Sequence, residues 1–330
     1  MILAGDIGGT KTVLGLFEYS GGDLRQVEEI VYASQEHKAF EEILFKFSNT
    51  QAGNAVQAAC LGVAGPVIDG ACTATNLPWR ISETGLAQAL STPKVKLVND
   101  LAAMAYGVLF LDEDQFATLN AGTHQKRQGH IAVIAAGTGL GEAFLYWDGK
   151  RHHPIATEGG HATFSPNSVQ EIGLLNFLRA RFGGHVSYER VLSGPGLYHI
   201  YEFLRDSSGE PEPTWLTEQS RSGDPSAAVS EAGLIGTDTV CAATLDLFSS
   251  IYGVEAGNLA LKVLSTGGVV LGGGIAPKIL PVLENGSFMR GYANKGRFSQ
   301  LLESLEVRVA LYPRAPLIGA AHLAEQLAGE

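Results

Sequence analysis

Cysteine is scarce in this chain. The three present, Cys60, Cys72 and Cys241, are scattered and lack the paired short spacing on which zinc and redox sites depend, so they read as small buried hydrophobes. No uninterrupted apolar run approaches the roughly 20 residues needed to cross a bilayer, and no membrane association is expected. Met1 leads directly into Ile2-Leu3-Ala4-Gly5, without the basic start, long apolar stretch and small-residue cleavage site of a secretory signal; the expected location is the cytoplasm. Basic runs are missing too. Lys and Arg total 23 against 34 Asp and Glu, a net charge of -11, which argues against a nucleic-acid surface. That acidity does not exclude a phosphorylated ligand, because backbone N–H groups hold anions locally.

The chain is long enough, at 330 residues, to exceed what a single core fills efficiently, so two domains are the starting expectation. Apolar runs at Ile2 to Ala4 and Val13 to Phe17, broken by Gly8-Gly9-Thr10, predict a hairpin. The design recurs at Ile131 to Ala135, Gly137-Thr138-Gly139 and Ala143 to Trp147, which suggests a duplicated domain. Further strands are predicted at 58–63, 95–98, 269–271 and 307–311, and helices at 39–48, 101–110, 169–182, 239–263 and 316–327, from three- and four-residue apolar spacing. Residues 205–226, rich in Ser, Gly, Pro and Asp, read as a surface excursion. Strands and helices in this order make an α/β protein.

Four glycine-rich turns stand out: Asp6 to Thr10, Gly137 to Gly141, Gly194 to Gly196 and Gly272 to Gly274. Glycine lets backbone N–H groups approach phosphate oxygens with no Cβ in the way. Neither common nucleotide fingerprint accounts for them. There is no G-x-x-x-x-G-K-[S/T], and Gly137-Thr138-Gly139-Leu140-Gly141-Glu142 places a glutamate where the dinucleotide motif needs its last glycine. Glu142 to Trp147 also reads as a second strand, whereas the dinucleotide fold needs a helix there. Hairpins, not helix N-termini, are therefore expected to hold the phosphates.

Asp6-Ile7-Gly8-Gly9-Thr10-Lys11 and Gly137-Thr138-Gly139 resemble the two phosphate motifs of the hexokinase, Hsp70 and actin-like ATPase superfamily. Leu97-Val98-Asn99-Asp100-Leu101-Ala102-Ala103, Glu158-Gly159-Gly160-His161 and Glu189-Arg190-Val191-Leu192-Ser193-Gly194 are similar to sugar-site motifs of the bacterial glucokinase family. The order and spacing of all five match that family across essentially the whole chain. The resemblance implies a two-domain actin-like ATPase fold, ribonuclease H-like and duplicated, with an interdomain active-site cleft. The small domain is expected at 1–110 plus 314–330 and the large domain at 111–313, closing around the substrates and excluding water.

The implied reaction is ATP plus D-glucose to ADP plus D-glucose 6-phosphate, the entry to glycolysis. Asp100 is implied as general base, with Asn99, Asp100, Glu158, His161 and Glu189 binding glucose. Asp6, Gly8, Gly9, Thr10, Lys11, Gly137, Thr138, Gly139, Gly194 and Gly273 are implied around ATP, and Asp6 reaches Mg²⁺ through water. Related kinases often carry asparagine or another residue at Lys11. Asn99 and Asp100 also suit a helix N-cap, and both roles can coexist. Glu158 and His161 could equally be metal ligands. In a related repressor and kinase group a histidine in a similar place joins a cysteine cluster on zinc. Here Phe164-Ser165-Pro166 stands instead, so no zinc is expected and hydrogen bonds to sugar hydroxyls remain. A homodimer is expected from the resemblance and from the frequency of two-fold dimers. The rivals are a kinase for another hexose on the same scaffold and a non-enzymatic sugar-binding regulator. The latter would need an added helix-turn-helix, for which Met1 lies too close to the first strand.

Overall fold

Glycine between two apolar runs makes the first hairpin, β1 (Ile2–Ile7) against β2 (Lys11–Ser20), in a computed structural model that describes residues 1–20, 23–48, 56–123, 128–209 and 211–329. The chain divides into two units. The first comprises Met1–Gln115, His152–Ala156 and Tyr312–Glu330, and the second Phe116–Arg151 and Thr157–Leu311.

In the first unit the hairpin is extended on one side by β3 (Asp23–Ala33) and on the other by β4 (Ala58–Val63), giving the order β3-β2-β1-β4-β7 once the short ribbon of β5 (Ala71–Thr73) and β6 (Arg80–Ser82) is passed and β7 (Val95–Asn99) is added. β1, β4 and β7 run parallel. β4 is buried throughout, as a central parallel strand covered on both faces must be, which is why Ala58 to Val63 is one apolar run. The core gathers Phe40, Ile43 and Phe47 from the helix Phe40–Ser48 with Trp79 and Ile81 against Leu3, Leu14, Leu16 and Leu61. The helix Asp100–Gly107 and the C-terminal helix Ala315–Gly329 cross at two glycines. A Cβ on Gly107 would lie 1.8 Å from the Ala315 carbonyl oxygen, and one on Gly319 would lie 1.8 Å from that of Ala103.

The second unit repeats the plan. β8 (Phe116–Asn120), β9 (Ile131–Ala136), β10 (Leu140–Trp147), β12 (Val269–Gly272) and β13 (Val307–Ala310) take the order β10-β9-β12-β13-β8, while β11 (His152–Ala156) falls in the segment counted with the first unit. Again a hairpin, β9 with β10, leads into parallel strands. The long helix Thr239–Val263 begins on Asp238, whose carboxylate accepts the Cys241 N–H at 2.9 Å. It too crosses a neighbour through glycine: a Cβ on Gly253 would be 2.0 Å from the Phe288 carbonyl oxygen, and one on Gly291 2.2 Å from that of Ser250. All three cysteines are buried. Among the described residues no single helix is long and apolar enough to cross a membrane.

Residues 205–226 depart from the expectation of a surface excursion. They contain the end of the helix Gly194–Ser208, the helix Thr214–Ser222 and the start of the helix Pro225–Ile235. Leu216, Ala228 and Val229 from the last two helices enter the core. The prolines that suggested loop sit at helix starts, Pro213 as the residue before the first turn and Pro225 within it, where a missing N–H costs nothing.

Candidate active site

Register brings the first set of predicted residues together. Ile7, Val63 and Asn99 are mutual partners across β1, β4 and β7, and Asp6 shares the adjacent row with Gly62 and Val98. These are the C-terminal ends of parallel strands, where α/β sheets present their ligand sites. Gly62 allows the close approach, because a Cβ there would lie 3.1 Å from Ala103 Cβ and 3.4 Å from Asp100 Cα. The N-cap is Asn99: its Oδ1 accepts the N–H groups of Leu101 (3.0 Å) and Ala102 (3.2 Å), and its Nδ2 donates to the Gly65 carbonyl at 3.2 Å. Asp100 is the first helical residue, its Oδ1 also accepting the Leu101 N–H at 2.9 Å. Capping is thus carried chiefly by Asn99.

Asp6 and Asp100 repel each other. Burial first, and then the negative charge of Asp100, push the Asp6 carboxyl up to about 7, while Arg314 opposes the shift. Arg314 is itself held by Glu29, whose Oε1 accepts from its Nε at 2.9 Å. Two carboxylates under this repulsion suit a cation carried in by phosphate oxygens, since Mg²⁺ keeps most of its waters and needs only one or two protein carboxylates. The Gly8–Lys11 turn between β1 and β2 is closed by the Gly8 N–H on the Lys11 carbonyl (2.9 Å). Buried Ser34 clamps it from behind. Its N–H donates to the Thr10 carbonyl at 3.0 Å, its hydroxyl donates to the Gly8 carbonyl at 2.8 Å, and it meets the Thr12 hydroxyl at 2.9 Å. Gly9 is half-buried and Thr10 and Lys11 are exposed.

In the second unit the turn Gly137-Thr138-Gly139 joins β9 to β10, with the Gly137 N–H on the Gly139 carbonyl at 2.8 Å. Two other predicted glycines converge there. The Gly194 N–H donates to the Gly137 carbonyl at 2.8 Å, and Gly273, at φ 77°, approaches so closely that a Cβ would lie 2.3 Å from the Ala136 oxygen. Gly194–Gly196 differs from expectation in kind: it opens the helix Gly194–Ser208, capped by the Ser193 hydroxyl accepting the Gly196 N–H at 3.0 Å. This predicted turn is therefore a helix N-terminus, with the helix dipole behind it and its Gly194 and Gly196 N–H groups already paired.

The sugar-motif turns of this unit gather at the start of β10. Glu189, half-buried in the short turn Tyr188–Arg190, accepts the Leu140 N–H at 3.1 Å. Glu158 and His161 are exposed at the ends of a single tight turn, Gly159–His161, in which the His161 N–H donates to the Glu158 carbonyl at 3.0 Å. The Tyr188 N–H donates to the Ala162 carbonyl at 2.9 Å, tying the two turns together. Ser34, Arg314 and Glu142 are neighbours of these sites that sequence reasoning missed. Ser34 follows an unrecognised strand, and Arg314 comes from the far end of the chain, so no local pattern marked either.

Comparison with known proteins covers the chain almost end to end. The family model described as Glucokinase matches residues 3–327. A glucokinase from Synechocystis sp. is 43% identical, with 98% of both chains covered, and one from Trichormus variabilis is 41% identical, with 99% of both covered. Among solved structures, a glucokinase from an Antarctic psychrotroph superposes with a TM-score of 0.85 at 31% identity, covering 98% of each chain.

Proposed function

This chain belongs to the glucokinase family, and on that premise we propose that it transfers the γ-phosphoryl group of ATP to the 6-hydroxyl of D-glucose with Asp100 as general base. The fold is the duplicated α/β fold of the actin-like ATPases, and the activity is that of an ATP-dependent hexose phosphotransferase. The observation that carries the mechanism is the arrangement at the end of β7. Asn99 caps the helix through its side-chain oxygen, and the Asp100 carboxylate stands beside it in the first helical turn, at the strand ends that also carry Asp6.

Asp100 accepts the proton of the attacking hydroxyl as the new O–P bond forms, and the second Nδ2 hydrogen of Asn99 donates to a neighbouring sugar oxygen. Glu158 and Glu189 accept from sugar hydroxyls, and His161 adds a further hydrogen bond that orients the ring. Positioning of this sort supplies much of the acceleration in phosphoryl transfer, where the protein does little covalent chemistry. The glycine turns Gly8–Lys11 and Gly137–Gly139, with Gly194 and Gly273 packed against the second, hold the phosphates, with Thr10 and Thr138 beside them. Asp6 would hold Mg²⁺ through water, and that ion supplies neutralisation of phosphate charge. The enzyme is read as a cytoplasmic homodimer. A coupled assay over glucose, mannose, fructose and N-acetylglucosamine with ATP and Mg²⁺ tests the reading. The highest kcat/KM is expected for glucose, and a higher value for another hexose would reassign the substrate.

A further inference from the structure

Glu142 is the residue that departs from the dinucleotide fingerprint, and the fold buries it. It lies on β10 opposite Ile134 of β9, only 1% exposed, and one of its carboxyl oxygens, Oε1, has no hydrogen-bond partner among the described residues. Its other oxygen lies directly beneath the turn that carries Glu158 and His161. A Cβ built on Gly159 would sit 2.1 Å from Glu142 Oε2, so glycine lets the carboxyl and the turn meet closely, and one on Gly160 would sit 2.0 Å from the Leu140 carbonyl oxygen. Thr157 ties the turn to the same point of the strand. Its hydroxyl donates to the Glu142 carbonyl at 2.7 Å and accepts the Gly159 N–H at 3.1 Å.

A second buried carboxyl, Glu255, 0% exposed, acts on Glu142 by its charge. Glu255 has charged and polar partners of its own. Its Oε1 pairs with Lys262 at 3.3 Å and its Oε2 accepts from Asn258 Nδ2 at 2.8 Å. Lys295 fixes that amide by donating to Asn258 Oδ1 at 2.7 Å and to the Val254 carbonyl at 2.9 Å. Asn258 Nδ2 also reaches the Tyr188 hydroxyl at 3.2 Å, in the turn that carries Glu189. Tyr252 completes the surroundings, its hydroxyl spanning the β9 backbone at Ala136 N and Ile134 O.

We propose that Glu142 is a positioning residue for glucose: its buried carboxyl forms the floor that seats the Glu158–His161 turn, while the neighbouring Glu255, through Asn258 and Tyr188, ties the same region to the Glu189 turn. This rests on the reading of those turns as the sugar site. Burial, reinforced by Glu255 and opposed by Lys262, raises the Glu142 carboxyl to about 8. Above that pH the floor acquires a second buried charge facing Glu255 with one oxygen unpartnered, a state that a low-dielectric site disfavours. Glucose binding, more than turnover, is the quantity that responds.

The test measures kcat and the KM values for glucose and ATP from pH 6.5 to 9.5 in wild type, Glu142→Gln and Glu142→Ala, with thermal melting to verify folding. In wild type the glucose KM rises about tenfold through the upper half of that range, within the up to about 10²-fold that an ångström of misplacement costs, while the ATP KM stays level. Glu142→Gln, which keeps the size and cannot ionise, gives a glucose KM that is flat with pH. Glu142→Ala raises it at every pH. An alkaline rise persisting in Glu142→Gln, or a well-folded Glu142→Ala with a wild-type glucose KM, overturns the assignment while leaving the kinase reading intact. A wild type that phosphorylates no hexose overturns that reading and this inference with it.

Discussion

Two demands meet on the carboxylate of Asp100. At the first turn of its helix a negative charge is favoured by the exposed N–H groups and the helix dipole, but Asp6 faces it with a like charge. Replacing Asp100 with asparagine separates structure from chemistry. The Asn99 cap and the Leu101 N–H bond survive, and the repulsion with Asp6 disappears. The expected result is a melting temperature equal to or above wild type with kcat lower by roughly 10²- to 10⁴-fold, the usual contribution of positioned proton transfer. Retention of more than about a tenth of kcat would leave proton removal unassigned. Gly137 gives a parallel case. A Cβ there meets nothing within 4 Å and its φ is not positive, so Gly137→Ala leaves melting unchanged, within the roughly 0.5 kcal/mol typical of uneventful substitutions. The methyl group then crowds only a bound phosphate, and the ATP KM is expected to rise about tenfold, the cost of roughly one hydrogen bond. An unchanged KM would remove this turn from the phosphate site.

Helices meet through glycine in both units, and the consequence can be measured at Gly319. The carbonyl of Ala103 occupies the space where a Cβ would go, so Gly319→Ala must push the C-terminal helix away from the helix Asp100–Gly107. Overpacking of this kind costs about 1–3 kcal/mol, and because the displaced helix begins at Asp100, kcat/KM falls as well. Gly274→Ala, with no atom within 4 Å, serves as the stability control. Equal melting of the two variants would count against the close crossing. Such crossings were invisible in the sequence, as they depend on which helices become neighbours. Long elements and glycine-broken apolar runs were legible: the helices Val169–Phe182 and Thr239–Val263 and both glycine hairpins form where predicted. The edge strand β3 was missed because polar and charged residues break up most of its sequence, DLRQVEEIVYA, and leave only the short apolar stretch Ile30 to Ala33. The start of the helix Gly194–Ser208 was misread because Gly194-Pro195-Gly196 follows turn chemistry, and only the Ser193 cap marks it as helical. The proposed site residues stand out in the sequence as motifs, whereas the Asp6–Asp100 repulsion and the Ser34 clamp arise from strands paired across long stretches of chain.

At the scale of the molecule, the first unit is assembled from both ends of the chain. Leu317, Ala320, Ala321 and Ala324 of the C-terminal helix are buried, Lys94 Nζ donates to the Ala328 carbonyl at 2.9 Å, and the Gln326 amide meets the Tyr106 hydroxyl. His322 stacks on Phe110 with ring centroids 3.5 Å apart. Arg314 adds the ion pair with Glu29 and the positive charge that partly offsets Asp6 and Asp100. The first unit therefore cannot bury its β1–β4 face until the last residues are in place, and contacts of such long sequence separation form late and slowly. The second unit needs none of them, since its segments end at Leu311. A chain ending at Leu311 is accordingly expected to lose hydrogen-exchange protection at the amides of β1 and β4 while those of β9, β12 and β13 remain protected, because opening free energies follow the cooperative unit to which an amide belongs. Activity disappears with the first set, since Asp6 and Asp100 stand on the elements that loosen. Full protection of β1 and β4 in the shortened chain would mean that the C-terminal helix only covers a sheet already stable without it. Loss of protection in both sets together would mean that the two units share a single cooperative unfolding transition.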